Sequence, residues 1–466
     1  MGFGVSGWRL ANAVSRLGQL GVVSGTALDV MLTRKLQDGD PAGDVRRALE
    51  HFPFPQVAKR IQDTYFVEGG LEVGASYKHV PMHTIEGSQE AAELCVVGNF
   101  VEVFLAKEGH AHPVGVNYLE KIQLPHLPSL YGAMLAGVSV VLMGAGIPLT
   151  VPGILDGLAR HHEVEYPIVV TGADGEIEIV NVAFNPLSLM DGRCDQGILI
   201  RPDFYPIVGT ESLASILLKR ANGSIEGFIV ESNMAGGHNA PPRGKGELSD
   251  SGEPIYGPRD NAKLAKFRDF GLPFWLAGSR GSPEGLQHAL ELGASGVQVG
   301  TAFGLCKESG LYPETRREII QGVLSGHIRV FTDPHASPTG FPFKVADLPG
   351  SLSEQAVYEA RRRICDIGFL RTPYRKADGG IGYRCSAEPV AAYVAKGGKE
   401  EDTVGSKCLC NALAADIGYP QRVKDGSLEK ALVTMGDDLE NVGRFCINGR
   451  ADFSAADVIS TILAKG

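Results

Sequence analysis

Gly227-Phe-Ile-Val-Glu231-Ser-Asn-Met-Ala-Gly-Gly-His238-Asn-Ala-Pro-Pro-Arg-Gly244 joins a buried-strand pattern to a glycine-rich, histidine-bearing loop. Its opening, Gly227-Phe-Ile-Val230, is an apolar run of the kind that makes a strand covered on both faces. Two glycines then let the backbone come close to a flat ligand, and His238 stands at the strand's C-terminal mouth. A histidine there can titrate or donate a hydrogen bond beside a bound cofactor, so the stretch reads as an active site.

Working outward, similar runs recur at Leu20–Ser24, Pro113–Tyr118, Val138–Met143, Tyr205–Gly209, Phe274–Gly278 and Val297–Gly300. Helical stretches separate several of them: Leu10–Leu17, Leu127–Leu135, Ser212–Ala221, Ala262–Phe270 and Glu284–Leu292. Strand, loop and helix in repeated order predict an α/β fold with right-handed crossovers, a (β/α)8 TIM barrel. Seven strands are visible where the barrel needs eight. The chain opens on a glycine-rich loop running into a helix, as if a first strand lay upstream of Met1. An open doubly wound sheet is the alternative.

Two segments interrupt the alternation. Residues 25–112 form a long insertion with helical stretches at Val45–His51, Gln56–Tyr65 and Ser88–Lys107, expected to make a helical lid over the catalytic face. Residues 166–184 carry Asp174-Gly175 between alternating apolar runs, a hairpin signal. The barrel is assigned to residues 1–334. Residues 335–466 are expected to be a mostly helical C-terminal extension, packed on the barrel or on an adjacent subunit of a homo-oligomer.

A net charge of −10 argues against nucleic-acid or anionic-membrane partners, which need a basic face. No apolar run is long enough for a transmembrane helix, and no secretory signal opens the chain. Eight cysteines in 466 residues suit reduced thiols and a cytoplasmic location. Met1-Gly2-Phe-Gly-Val-Ser6 fits the short myristoylation pattern, and Gly2-x-Gly4-x-x-Gly7 spells the dinucleotide fingerprint without the strand that must precede it. Neither is adopted.

The chemistry gathers at strand ends. Ala277-Gly278-Ser279 and Gln298-Val299-Gly300-Thr301 close the last two strands, where a parallel barrel cradles phosphate in free backbone N–H groups and a hydroxyl. Asn117 follows another strand, and its amide can hydrogen-bond the edge of a heterocycle. Lys121 beyond it reads as a solvated loop residue. Met143-Gly-Ala-Gly146 ends the next strand with room for a planar ring. His161 and His162 read as surface residues, and His79, His83, His110 and His112 lack metal-ligand spacing. Cys365, Cys385, Cys408 and Cys410, followed by Cys446, crowd the tail. Such quartets can bind zinc or an iron–sulfur cluster, yet C-x-x-C pairs are absent. Buried thiols are the preferred reading, and no metal site is assigned.

Asn117, then Ala235-Gly-Gly-His238, then Ala277-Gly278, then Gln298-Val-Gly-Thr301 resemble, in that order, the nitronate monooxygenase (2-nitropropane dioxygenase) family over about residues 1–310. Its members are FMN-dependent TIM barrels that share their architecture with flavin-dependent enoyl-ACP reductases. The resemblance implies FMN contacts at Gly2, Asn117, Gly236, Gly237, Gly278, Ser279, Gln298, Val299, Gly300 and Thr301, with His238 as the catalytic histidine. Three departures stand out: Glu231 where glutamine is frequent, Met234 where an acidic residue is common, and Ser279 in place of a second glycine.

The activity this implies is FMN-dependent oxidation of a nitronate or nitroalkane, with O2 as electron acceptor. An anionic nitronate needs no proton abstraction, so His238 would orient it; a neutral substrate would make His238 the proton-transfer group. The alternatives are an NAD(P)H-dependent flavin reductase of an enoyl thioester or quinone, and a partner-dependent subunit of a synthase.

Overall fold

Runs rich in valine and isoleucine form the strands of a computed structural model that describes residues 3–172, 175–189, 197–244, 246–446 and 451–464. In chain order these are β1 (Gly21–Ser24), β2 (Val114–Leu119), β3 (Val140–Gly144), β4 (Val164–Thr171), β5 (Ile177–Phe184), β6 (Asp203–Val208), β7 (Phe228–Glu231), β8 (Phe274–Ala277) and β9 (Gly296–Gln298). β4 and β5 are an antiparallel hairpin, as expected; Asp174 of its turn lies outside the described residues. The other seven make one parallel sheet in the order β1-β2-β3-β6-β7-β8-β9. The order runs without the reversal that a doubly wound sheet requires.

The sheet curls. Tyr205 and Trp275 stack with ring centroids 5.0 Å apart although β7 lies between their strands. Side chains on strands two apart in a flat sheet would be separated by about 9.5 Å. Val140, Leu142, Ile229 and Ala277 pack with them on the concave face. The convex face is buried too: Val23, Val116 and Val141 meet helices on one side, and Phe228, Val230 and Leu276 on the other. β1 and β9 are the free edges, with no eighth strand between them among the described residues. A cavity of about 440 Å³, lined by Val22, Tyr205, Ile229 and Val297, opens between those edges.

Helices follow the strands. Glu211–Arg220 starts at Thr210, whose hydroxyl accepts from Leu213 N, and Pro283–Glu291 starts at Ser282, whose hydroxyl accepts from Gly285 N. Residues 25–112 carry helices up to Tyr65 and again from Gln89, but they do not simply form a lid. Gln89–Lys107 is buried along most of its length and is the crossover from β1 to β2. Its contact with His126–Leu135 is so close that a Cβ on Gly132 would come within 2.1 Å of Val96 O. A further helix, Leu28–Gln37, starts this segment where none was expected.

The C-terminal extension is mixed rather than mostly helical. β10 (Val330–Asp333) pairs with β11 (Phe343–Ala346), and β12 (Thr372–Arg375) with β13 (Ile381–Arg384), both antiparallel. β12 also joins β4 in a four-stranded sheet. The overlooked signal was Asp378-Gly379-Gly380, in which Asp378 Oδ1 accepts from Gly380 N at 2.9 Å and turns the chain between β12 and β13. Among the described residues no helix is long and apolar enough to cross a membrane.

Candidate functional site

Parallel pairing lines up the functional residues at the C-terminal ends of the strands. Glu231, Ala277 and Gln298 are in register across β7, β8 and β9, and Asn117 sits between Ser24 and Leu142. Two adjoining cavities open there and share Glu231, Gly236 and Thr434.

One cavity brings together Gly236, Gly278, Ser279, Gln298, Val299, Gly300 and Thr301. Gly278 has φ +101°, and a Cβ on it would lie 2.2 Å from Ser232 Oγ, so the turn after β8 needs glycine twice over. Ser279 follows at φ +51°, the left-handed conformation a second glycine would hold without strain. Its hydroxyl is buried with no hydrogen-bond partner. Arg280 lines the cavity together with the carboxyl residues Glu231, Asp416 and Asp438. The orphaned hydroxyl and the tight turn, with backbone N–H groups beside them, suit an anionic group such as a phosphate.

The second cavity holds Asn117, Gly237 and His238, with Glu231. Asn117 Oδ1 is also buried without a partner. Orphaned acceptors are costly in a folded protein, so this one points to a donor on a bound molecule. Thr26 and Ala27 from the 25–112 segment form one wall, and Phe343, Phe369, Leu370 and Leu409 from the C-terminal extension form another. Among its described lining residues there is no lysine or arginine. Gly2 lies outside the described residues.

Electrostatics separate the two titratable groups. Burial pushes Glu231 up to about 7 and pushes His238 down to about 3. His238 is therefore a neutral imidazole at any ordinary pH. Its Nε2 meets Ser337 Oγ at 2.7 Å, and its ring stands edge-on to Phe343.

The largest contribution invisible in the motifs comes from residues 434–438. Thr434 Oγ1 accepts from Gly237 N at 2.9 Å, Gly436 N donates to Thr301 Oγ1 at 2.9 Å, and Asp437 N donates to Met234 O at 3.0 Å. This segment crosses between the two cavities. A Cβ on Gly236 would meet Gly436 N at 2.8 Å. The local cue, Thr434-Met-Gly436, is too short to identify from sequence.

Lys121 is exposed, as expected, with its ammonium 5.7 Å from the centroid of the Phe341 ring. His162 is exposed, but His161 is buried: its ring nitrogens reach Tyr131 OH at 2.9 Å and Gly197 O at 3.0 Å. The polar neighbourhood in sequence concealed a buried, fully bonded histidine.

No protein-family model matches the chain. A curated relative, a probable nitronate monooxygenase of Bacillus subtilis (strain 168), is 31% identical over 116 residues, 25% of this chain and 31% of that protein. The alignment thus spans about a third of the relative's length. Among solved structures, FabK from Thermotoga maritima aligns over 99% of this chain and 90% of its own, at 15% identity and a TM-score of 0.46. The nitroalkane oxidase from Streptomyces ansochromogenes aligns over 99% of this chain and 92% of its own, also at 15% identity and 0.46. Over a quarter of its length, this chain is similar in sequence to a nitronate monooxygenase.

Proposed function

We propose that this chain is an FMN-dependent oxidoreductase built on a TIM-barrel plan, with the cofactor across the two strand-end cavities. The observation that carries the reading is the pair of orphaned buried polar atoms, Ser279 Oγ at the anion-suited end and Asn117 Oδ1 at the other. They would meet the two ends of a flavin mononucleotide. Gly236, Gly237, Gly278, Ser279 and Gln298–Thr301 would hold the phosphate and its linker, and Asn117 the ring edge. FMN bound there would supply two-electron acceptance and, once reduced, reactivity toward O2.

The substrate we propose is a nitroalkane, oxidised with O2 as acceptor; the relative similar in sequence is named for the corresponding nitronate. The site favours the neutral nitroalkane over its anion, because the cavity that joins Asn117 to His238 holds Glu231 and no lysine or arginine among its described lining residues. Glu231, poised near neutrality, takes the proton. His238 stays neutral, and its ring nitrogen not engaged by Ser337 orients the substrate. This moves the proton-transfer role from His238 to Glu231.

A specific observation supports a second reading, reduction of an enoyl thioester or quinone at the expense of NAD(P)H. Another cavity also lined by Glu231 and His238 leads to Arg243 and Tyr256, giving a longer substrate a polar exit. Anaerobic loss of the flavin's visible absorbance decides between them. Bleaching by a nitroalkane alone supports oxidation, and bleaching by NADH or NADPH alone supports the reductase. A protein that binds no FMN overturns both.

A further inference from the structure

Cys365, Cys385, Cys408 and Cys410 line one small cavity in the C-terminal extension. They arrive from separate places: Cys365 beyond the helix Gln355–Ala360, Cys385 directly after β13, and Cys408 and Cys410 at the start of the helix Leu409–Asp416. All four are free thiols. Each lies within electrostatic reach of others in the set; Cys410 faces Cys408, Cys385 and Cys365.

Hydrogen-bond donors are aimed at these sulfurs. The backbone N–H groups of Asn411, Ala387 and Leu370 point to Cys408, Cys385 and Cys410 respectively. Asn411 Nδ2 also reaches Cys408 Sγ at 3.7 Å. Arg361, paired with Glu429 at 2.6 Å, stands beside Cys408, and Arg371 stands near Cys365 together with the carboxylates of Glu388 and Asp366. A neutral thiol is a weak acceptor, so the N–H donors suit metal-bound thiolates.

We propose that Cys365, Cys385, Cys408 and Cys410 ligate an iron–sulfur cluster of the four-iron, four-sulfide type. Spacing favours the cluster over zinc. Zinc–sulfur bonds of about 2.3 Å in a tetrahedron draw four sulfurs to about 3.8 Å from one another. Among the described residues, the one group of three or more potential ligands whose donor atoms all fall within 4.8 Å is Asp29, His83 and Cys95. There His83 Nε2 already meets Asp29 Oδ2 at 2.8 Å, which accounts for the pair without a metal. No three of the tail sulfurs all fall within 4.8 Å of one another among the described residues, which suits ligands spread around irons and sulfides better than ligands on a single zinc.

Leu370, Leu409 and Cys410 line both this cavity and the one beside Asn117 and His238. The cluster would therefore share a wall with the cavity proposed for the flavin ring. The ligand assignment itself does not rest on the flavin reading.

The test is to purify the full chain anaerobically and to measure iron, acid-labile sulfide, zinc and flavin on the same sample. About four irons and four sulfides per chain are expected, either as isolated or after reconstitution with iron and sulfide. Electron paramagnetic resonance of the dithionite-reduced protein should show a cluster signal. Cys385→Ser and Cys408→Ser should each lower iron at least tenfold, whereas Cys446→Ser, outside the cavity, should keep it. If the two variants fail to fold, the wild-type iron and sulfide content still decides. Zinc in place of iron, no metal even after reconstitution, or unchanged iron in folded Cys385→Ser overturns the assignment. Iron without flavin would leave it standing and sink the proposed function; flavin without iron would do the reverse.

Discussion

His238 Nε2 lies 2.7 Å from Ser337 Oγ, so a histidine at the end of a sheet strand is held by a hydroxyl of the C-terminal extension, ninety-nine residues further along the chain. The extension is thereby part of the site's machinery. His238→Ala should retain FMN and lower kcat about a hundredfold or more, the usual scale for a group acting in proton transfer or its orientation. Ser337→Ala leaves the imidazole present but unanchored and should cost about tenfold. Steady-state turnover alongside flavin content checks both; unchanged kcat in His238→Ala removes this residue from the mechanism.

Gly236→Val should abolish flavin retention and lower Tm. A Cβ at Gly236 would lie 2.8 Å from Gly436 N and 2.9 Å from Met435 C, so a branched side chain must push residues 434–436 off Thr301. Absorbance of the purified variant and its thermal melt read the two effects. A flavin content equal to wild type would contradict the placement.

Asn117→Ala should act in opposite directions on stability and on cofactor binding. Without cofactor, Asn117 Oδ1 is a buried acceptor with no partner, and such a group costs about 1–3 kcal/mol. Removing it should leave the apoprotein at least as stable in a urea melt while weakening FMN binding about tenfold. Ser279→Ala, which deletes the other orphaned atom but keeps φ +51°, should weaken FMN binding without raising stability as much. An Asn117→Ala apoprotein less stable than wild type would show that the amide is structural.

Glu231 should govern the pH profile near neutrality. Its carboxyl is raised by burial from an ordinary 4.5 to about 7, so the folded protein holds a proton that the unfolded chain releases above 4.5. The stability this confers is complete below pH 4.5 and is lost as pH rises toward 7. His238 works the other way. It is lowered from 6.5 to about 3, so stability falls as pH drops below 6.5, because the unfolded chain takes the proton first. Between pH 4.5 and 6.5 the two slopes oppose one another, so Glu231→Gln should unmask a rise of stability with pH caused by His238, and it should erase the inflection of kcat/KM near 7, which His238→Gln should preserve. Persistence of that inflection in Glu231→Gln would assign it to another group.

Much of the sheet was legible because its signals are local. Gly227-Phe-Ile-Val230 and the six similar runs form the seven parallel strands, since an apolar run bounded by glycine is buried on both faces wherever helices cover them. The Asn117, Gly236–His238, Gly278–Ser279 and Gln298–Thr301 clusters were legible for a related reason. Parallel strands place all their C-terminal ends on one side, so residues far apart in the chain converge without any further instruction. The extension was misread because its strands are only four residues long and the turn between β12 and β13, Asp378-Gly379-Gly380, lies among charged residues.

The sequence by itself determined an α/β chain with parallel strands and a polar, glycine-rich set of strand ends. Period and turn chemistry act over about ten residues and need no partner. Only the tertiary structure decided that residues 434–438 cross the site, that His238 is neutral while Glu231 titrates near neutrality, and that four tail cysteines share one cavity. Those properties depend on burial and on contacts between residues up to two hundred positions apart, and neither leaves a periodic trace in the chain.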